Sequence, residues 1–161
     1  MASFGLGQTS APIQVSYQGQ LDSSTPYMAA SEGNLALLQH ALTSLNLPLS
    51  AADENGYTLL HAAASYNQVE IMQYLLTNRV NVQATDNDGD SALHYAGSAQ
   101  VAQILVQVGK ANPGQRNNQG KSALQAKQEE LNEMMQDEDV EDDDEDLETL
   151  KGIVQYLSSL Q

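Results

Sequence analysis

The feature that most constrains this chain is a segment of eleven residues that recurs after 33 positions. Residues 53–63 read DENGYTLLHAA and residues 86–96 read DNDGDSALHYA, so Asp, Gly, Leu, His and the final Ala return in register. A fixed period of this length is typical of stacked repeats, in which each unit buries its apolar face against its neighbours. The period therefore predicts a solenoid that works through an extended surface.

Acidic charge is concentrated in one part of the chain. The 161 residues include 21 Asp and Glu against 6 Lys and Arg, and residues 129–148 hold 13 of the acids and no Lys or Arg. The remainder, with 8 acids (21 minus 13) and 6 bases, is close to neutral. This distribution argues against direct binding to nucleic acid or anionic membranes. It favours a protein partner, with basic proteins among the candidates.

Cysteine is absent, so the chain has neither disulfides nor thiolate metal sites, which suits a cytoplasmic or nuclear location. The first basic residue is Arg79, and no apolar run approaches the roughly 18 residues of a membrane span. We therefore expect no secretory signal, transit peptide or membrane segment. Residues 1–20, rich in Gly, Ser and Gln, are expected to form a flexible arm on a monomeric protein.

Apolar spacing predicts two short helices in each unit. In the best-formed unit, residues 58–66 form the first helix and residues 69–77 the second, with apolar side chains three to four positions apart. Gly56 and Gly89 each follow an Asn or Asp and supply the positive φ of a tight turn. Each unit is therefore predicted to run turn, helix, turn, helix.

This pattern resembles the ankyrin-repeat family, whose motif is D-x-x-G-x-T-P-L-H-x-A-A. The first copy matches at Asp53, Gly56, Thr58, Leu60, His61, Ala63 and Ala64, and the second at Asp86, Gly89, Ser91, Leu93, His94 and Ala96. The motif proline is replaced by Leu59 and Ala92 and is retained only at Pro26. In its size and acidic C-terminal region the chain is similar to small fungal ankyrin-repeat proteins.

The resemblance implies an all-α fold, a short solenoid of about four helix-turn-helix units with hairpin-like turns. We expect one ankyrin-repeat domain over residues 21–161. Its repeats are placed at about 22–52, 53–85, 86–116 and 117–161. Alignment of the third repeat with the second indicates a three-residue deletion between its helices, near Gly97. The fourth is interrupted by an acidic insertion at residues 137–146.

His61 and His94 are the candidates for a metal pair or a general base. They occupy the same repeat position, and the resemblance implies that each instead binds its neighbouring Thr58 or Ser91. No His-x-x-x-His pair supports a metal, and residues 86–90 fail the EF-hand pattern because Ser91 stands where the invariant glycine is required. We therefore expect no catalytic residue, no metal and no cofactor. An enzyme stays the third interpretation, supported only by the presence of these residue types.

The resemblance places the binding face on the concave side, formed by turn tips and the exposed side of each first helix. The partner-binding residues predicted there are Glu54, Asn55, Tyr57, Tyr66, Asn87, Asp88, Asp90 and Lys121. Tyrosine buries a large area at low entropic cost, so Tyr57 and Tyr66 are the best anchor candidates. The alternative for either one is a half-buried residue that supports the surface. The expected function is protein–protein recognition without catalysis, as an adaptor or regulator.

The acidic run is the second candidate site. Its predicted contacts are Asp137, Glu138, Asp139, Glu141, Asp142, Asp143 and Asp144. One interpretation is a solvated loop that keeps a small protein in solution. The other is a docking site for a highly basic client such as a ribosomal protein or histone, which an escort chaperone would shield. In that case salt would weaken binding steeply.

Overall fold

A computed structural model describes residues 19–137 and 144–161 of the chain. The helices in these residues are α1 Thr25–Glu32, α2 Leu35–Ser44, α3 Leu59–Ser65, α4 Val69–Thr77, α5 Ala99–Gln103, α6 Ala123–Gln136 and α7 Glu145–Ser158. A π-helical segment, Ile104–Val108, continues α5. The all-α repeat fold predicted from the sequence is confirmed. Residues 1–18, most of the predicted N-terminal arm, lie outside the described part.

Side-chain caps start the first helices of the second and fourth repeats. The hydroxyl of Thr58 accepts the N–H of His61, and Nδ1 of His61 accepts the N–H of Thr58 at 3.1 Å. Ser122 and Gln125 make the same reciprocal pair, with the N–H of Ser122 donating to Gln125 Oε1 at 3.0 Å. These bonds satisfy N–H groups that have no partner within the helix. Each cap therefore fixes where a helix begins after its turn.

The helices pack against helices of the same or the adjacent repeat and share one core. α1 packs against α2 and α3, α3 packs against α4, and α7 packs against both α5 and α6. The largest fully buried apolar side chains are Leu38, Leu59, Ile71, Met72, Leu75, Leu93, Val101, Leu105, Ile153 and Leu157. Alanines such as Ala29 and Ala63, both 0 % exposed, line the first helices and let neighbouring units approach closely.

The third repeat differs from the predicted helix-turn-helix unit. Residues 92–95, which correspond to α3 in the preceding repeat, form a turn, with the N–H of His94 donating to the carbonyl of Ser91 at 2.9 Å. The deletion therefore removes the first helix itself and does not merely shorten its connection to the second. The N–H of Gly97 then donates to the carbonyl of Ala64 at 3.0 Å, so the chain runs directly against the end of α3.

The fourth repeat is longer than the others, since α6 and α7 have 14 residues each. α7 buries an apolar stripe, namely Leu147, Leu150, Ile153 and Leu157. Leu160 lies beyond the end of the helix and is 38 % exposed. Among the described helices, none has both the length and the apolar character needed to cross a membrane.

Part of the predicted acidic insertion belongs to α7. Asp144 caps this helix, with Oδ1 accepting the N–H of Asp146 at 2.9 Å, and Glu145 is its first residue. Carboxylates in the first turn interact favourably with the positive end of the helix dipole. The C-terminal end of the insertion therefore has a structural role in starting α7, while residues 138–143 lie outside the described part.

Candidate protein-interaction surface

Three hairpin-like turns, here called the first, second and third fingers, occupy residues 52–58, 85–91 and 116–122. An isolated antiparallel bridge closes each one, namely Ala52 with Thr58, Thr85 with Ser91 and Arg116 with Ser122. Gly56 and Gly89 adopt φ of 74° and 79°, a region in which a residue with a side chain would be strained. The Asx-Gly signals of the sequence therefore mark the finger tips.

Acidic side chains at the base hold the first two fingers from within. Oδ1 of Asp53 accepts the N–H of Asn55 at 2.9 Å and that of Tyr57 at 2.8 Å. In the second finger, Oδ1 of Asp86 accepts two N–H groups in the same pattern, both at 2.9 Å. These side-chain oxygens accept hydrogen bonds from N–H groups of the turn and so stabilise each finger.

Hydrogen bonds also tie each finger to the next. The N–H of Asn87 donates to the carbonyl of Asn55 at 2.8 Å, and the N–H of Asn118 donates to the carbonyl of Asp88 at 2.9 Å. The side-chain amide of Asn87 donates to the carbonyl of Glu54 at 3.1 Å. The predicted contact residue Asn87 therefore has a linking role in the row of fingers.

The two motif histidines connect successive fingers, and the bonds predicted between them and Thr58 or Ser91 are confirmed. Nδ1 of His61 accepts the N–H of Thr58, and its Nε2 lies 2.9 Å from the carbonyl of Asp90 in the next finger. His94 repeats this arrangement, with Nε2 lying 3.1 Å from the carbonyl of Lys121. Both rings are buried, at 1 % and 7 % exposure. Within the described residues, no group of three or more His, Asp or Glu could hold a metal ion.

Burial makes the charge state of His61 relevant to stability. Desolvation lowers the pKa of His61 from its ordinary value of 6.5, and its bond to the Asp90 carbonyl only partly offsets this. The folded protein therefore binds this proton less readily than the unfolded chain does. Neutral, buried His61 therefore contributes to the free energy of unfolding. This contribution is fully present above about pH 6.5, the pKa in the unfolded chain, and is lost as the pH falls from there through the lower pKa of the folded protein.

Replacing His61 by glutamine is expected to flatten this pH dependence. Gln125 holds the same position in the fourth repeat and preserves the cap there, so glutamine can keep the bond to Thr58. The lost bond to Asp90 changes stability equally at every pH. Urea unfolding between about pH 5.5 and 7.5 should show wild type losing stability relative to the variant below about pH 6.5, by at most about 1.4 kcal/mol per pH unit. A difference between the two proteins that is constant with pH would contradict this.

Tyr57 and Tyr95 form an aromatic cluster with His61 beside the first two fingers. The two tyrosine rings meet edge to face, with centroids 5.2 Å apart and an interplanar angle of 83°, and the Tyr95 and His61 centroids are 5.5 Å apart. The Tyr95 hydroxyl donates to Oδ2 of Asp86 at 2.7 Å. Burial and this carboxylate raise the pKa of Tyr95, so its phenol stays a donor. Tyr66, at the end of α3, is 61 % exposed.

Sequence reasoning selected Tyr57 and Tyr66 but missed Tyr95 and Asp86. A signal for Tyr95 was present, because it stands 33 positions after Ala62, which is 2 % exposed. A large ring at a position that holds a buried alanine one repeat earlier indicates a specialised residue. Asp86 belongs to the repeat motif, and its second oxygen also accepts the hydrogen bond of the Tyr95 hydroxyl.

The other predicted contacts of the fingers differ in their surroundings. Glu54, Asn55 and Asp88 are exposed at the tips. Asp90 is half-buried, and its Oδ1 accepts the side-chain N–H of Asn117 at 2.8 Å. The ammonium of Lys121 is paired with Glu129 of α6. The tips of the first two fingers therefore carry exposed carboxylates, while the third finger carries two cations, Arg116 and Lys121.

The acidic run, which follows α6 in the sequence, is the second candidate site. Asp137 is exposed just after this helix, which spans 14 residues, about 21 Å, from the third finger. Asp144 caps α7 as described above. The remaining predicted contacts fall outside the described residues, namely Glu138, Asp139, Glu141, Asp142 and Asp143.

Comparison with known families agrees with the repeat geometry. A family model of ankyrin repeats in three copies matches residues 27–117, more than half of the chain. The chain belongs to the ankyrin-repeat family. Ankyrin repeats are generally protein-interaction modules, which agrees with the coarse function predicted from the sequence. The predicted fourth repeat lies beyond the matched residues except for residue 117.

Several curated proteins are similar to this chain over part of their length, and their names describe different kinds of protein. An ankyrin repeat-containing protein of Schizosaccharomyces pombe is 33% identical over 107 residues, which cover 65% of this chain and 51% of that protein. Ankyrin repeat and SOCS box protein 3 of Homo sapiens is 33% identical over 96 residues, covering 53% of this chain and 18% of that protein. A palmitoyltransferase of S. pombe is 35% identical over 66 residues, covering 41% and 10%. The chain thus spans about half of the first relative and a small part of the others.

Proposed function

We propose that this ankyrin-repeat protein binds a partner protein through the concave face made by its fingers and first helices, and acts as an adaptor or regulator without catalysis. The observation that carries the proposal is the row of linked fingers. Backbone and side-chain bonds join neighbouring fingers, while the side chains of Glu54, Asp88 and Tyr66 stay exposed. A surface that is already ordered loses little conformational entropy when it binds.

Tyr57 and Tyr66 are the proposed anchors of this surface. Tyr57 is half-buried and held in place by contacts with His61 and Tyr95, and Tyr66 projects its ring into solvent. An ordered aromatic ring next to an exposed one offers apolar area that a partner can bury. The acidic tips beside them supply polar contacts at the rim.

We also propose that the protein is a monomer and that it is located in the cytoplasm or nucleus. A net charge of −15 opposes self-association, and a cysteine-free composition suits an intracellular compartment. Light scattering of the purified chain and microscopy of a tagged chain test these two statements separately.

Affinity capture from the native cell tests which surface binds the partner. We expect the partner to be retained by a variant lacking residues 137–146, and lost by the Tyr57→Ala, Tyr66→Ala double variant. The matched control, Tyr57→Phe with Tyr66→Phe, keeps both rings and should keep the partner. Circular dichroism verifies that each variant is folded. Capture that persists after the loss of both rings would overturn the proposal.

A second candidate function is that of an escort for a highly basic client, which the acidic segment would shield. Two features favour it, the 13 acids within residues 129–148 and the side chain of Met135, 62 % exposed near the end of α6. A methionine beside dense negative charge offers an apolar contact to a cationic surface. In this case deletion of residues 137–146 should abolish capture, and high salt should release the client.

A further inference from the structure

We infer that the partner contributes an extended, arginine-bearing segment whose guanidinium groups bind the first two fingers against Tyr57 and Tyr95. The inference rests on the proposed function, because it names the chemistry of the partner at the same surface. It does not involve the acidic run at 137–146. Charge, aromatic geometry and the available acceptors each support it.

Negative charge outside residues 129–148 is concentrated on these two fingers. Five of the eight remaining acids lie there, namely Asp53, Glu54, Asp86, Asp88 and Asp90. The chain has no Lys or Arg before Arg79, and the next is Lys110. Within the described residues, no Lys or Arg forms an ion pair with any of the five, although Nε2 of His94 lies 3.8 Å from Oδ1 of Asp90. The negative potential of the other four acids therefore favours a cationic partner.

Aromatic rings lie beside this charge. Tyr95 meets Tyr57 edge to face, and its hydroxyl donates to Asp86. A phenol that donates a hydrogen bond to a carboxylate gains electron density in its ring, which strengthens the attraction of the ring face for a cation. The aromatic cluster and the carboxylates thus both favour a cationic ligand, and they do so as two separate observations.

The exposed acceptors favour arginine over lysine. The carboxylates of Glu54 and Asp88 are exposed and make no side-chain hydrogen bond among the described residues, so they can accept one from a partner. A guanidinium is planar, stacks on a tyrosine ring and still directs its edge N–H groups toward nearby carboxylates. A lysine ammonium is a more strongly hydrated point charge and lacks the stacking face.

Titration of the ¹⁵N-labelled full chain with a Gly-Ser-Arg repeat peptide at low salt tests the inference. We expect amide shifts at residues 54–57 and 88–95. A matched peptide with citrulline, which keeps the shape of arginine without the charge, should produce none, and a lysine peptide should bind several-fold more weakly. Shifts confined to residues 132–148, or equal binding of the citrulline peptide, would overturn the inference.

Removal of the two exposed carboxylates gives a second readout. The Glu54→Gln, Asp88→Asn variant is expected to bind the arginine peptide about three- to tenfold more weakly, as for loss of two exposed ion pairs. Glu32→Gln with Glu70→Gln makes the same change in net charge at exposed sites away from the fingers and should bind as wild type does. Equal weakening by both pairs would overturn the inference.

The same variants separate this inference from the proposed function. Suppose that the natural partner is lost by the Tyr57→Ala, Tyr66→Ala variant but bound normally by Glu54→Gln, Asp88→Asn. This result would support binding through the concave surface and contradict the recognition of arginine. If neither variant affects capture of the partner, both the proposed function and this inference are contradicted.

Discussion

Replacing Leu105 by alanine is expected to lower the free energy of unfolding by about 3–4 kcal/mol. Leu105 is 0 % exposed and lies in the π-helical segment Ile104–Val108, in the core of the third repeat. The shortened repeat has no first helix that could move in to fill the space, so the lost side chain leaves a cavity. Since each repeat is stabilised by its neighbours, the loss should shift the main unfolding transition.

Urea unfolding at about 15 °C, followed by far-UV circular dichroism, measures this effect. Leu160→Ala is the matched control, because Leu160 is 38 % exposed beyond the end of α7 and its truncation should change stability by less than about 1 kcal/mol. Equal losses for the two variants would show that Leu105 is not in the core of a cooperative stack.

Replacing Gly97 by alanine is expected to destabilise the protein by about 2–3 kcal/mol. A Cβ at this position would lie 2.5 Å from the carbonyl oxygen of Ser65 and 2.9 Å from Oδ1 of Asn67. The first of these atoms belongs to the backbone at the end of α3, so it cannot rotate away. The third repeat would have to separate from the second and lose the bond from Gly97 to Ala64.

Gly152→Ala is the matched substitution with the opposite expected sign. Gly152 lies within α7, and the nearest atom to an added Cβ is Cβ of Ala99 at 3.9 Å, an ordinary contact. Alanine in a helix interior should raise the free energy of unfolding by about 0.5–1 kcal/mol. The two glycine variants are compared in the same denaturation experiment. A neutral Gly97→Ala would contradict the close approach between the second and third repeats.

The doubled segment predicted much of the structure because it consists of local interactions at fixed spacing. Asp53 holds its finger, Gly56 supplies the positive φ, and Thr58 with His61 caps the following helix. All of these bonds lie within nine residues of one another along the chain. The resemblance to the family, at a repeat position that both histidines share, therefore predicted their bonds to Thr58 and Ser91.

The form of the third repeat depends on tertiary contacts that the sequence pattern does not reveal. A three-residue deletion could shorten either a helix or a connection. The first helix is lost because the few remaining residues cannot sustain one, and Gly97 permits direct contact with the end of α3 instead. In the fourth repeat the insertion predicted as a loop contributes Glu145 and Asp146 to α7.

The sequence predicted the exposed finger tips of the candidate surface but not the contact between its aromatic rings. Finger tips are exposed in any such repeat, so Glu54 and Asp88 could be assigned from position alone. The contact between Tyr57 and Tyr95 joins residues 38 positions apart in different repeats. Periodicity predicts which residues share a position but not how side chains of adjacent repeats meet. The place of Tyr95 in the surface is therefore visible only in the structure.

Hydrogen–deuterium exchange of the full chain, with and without the partner it captures, tests the central claim most directly. If the concave face binds the partner, exchange should slow at residues 54–66 and 87–95 and stay unchanged at residues 132–148. Slower exchange confined to residues 132–148 would contradict this account and assign binding to the acidic segment.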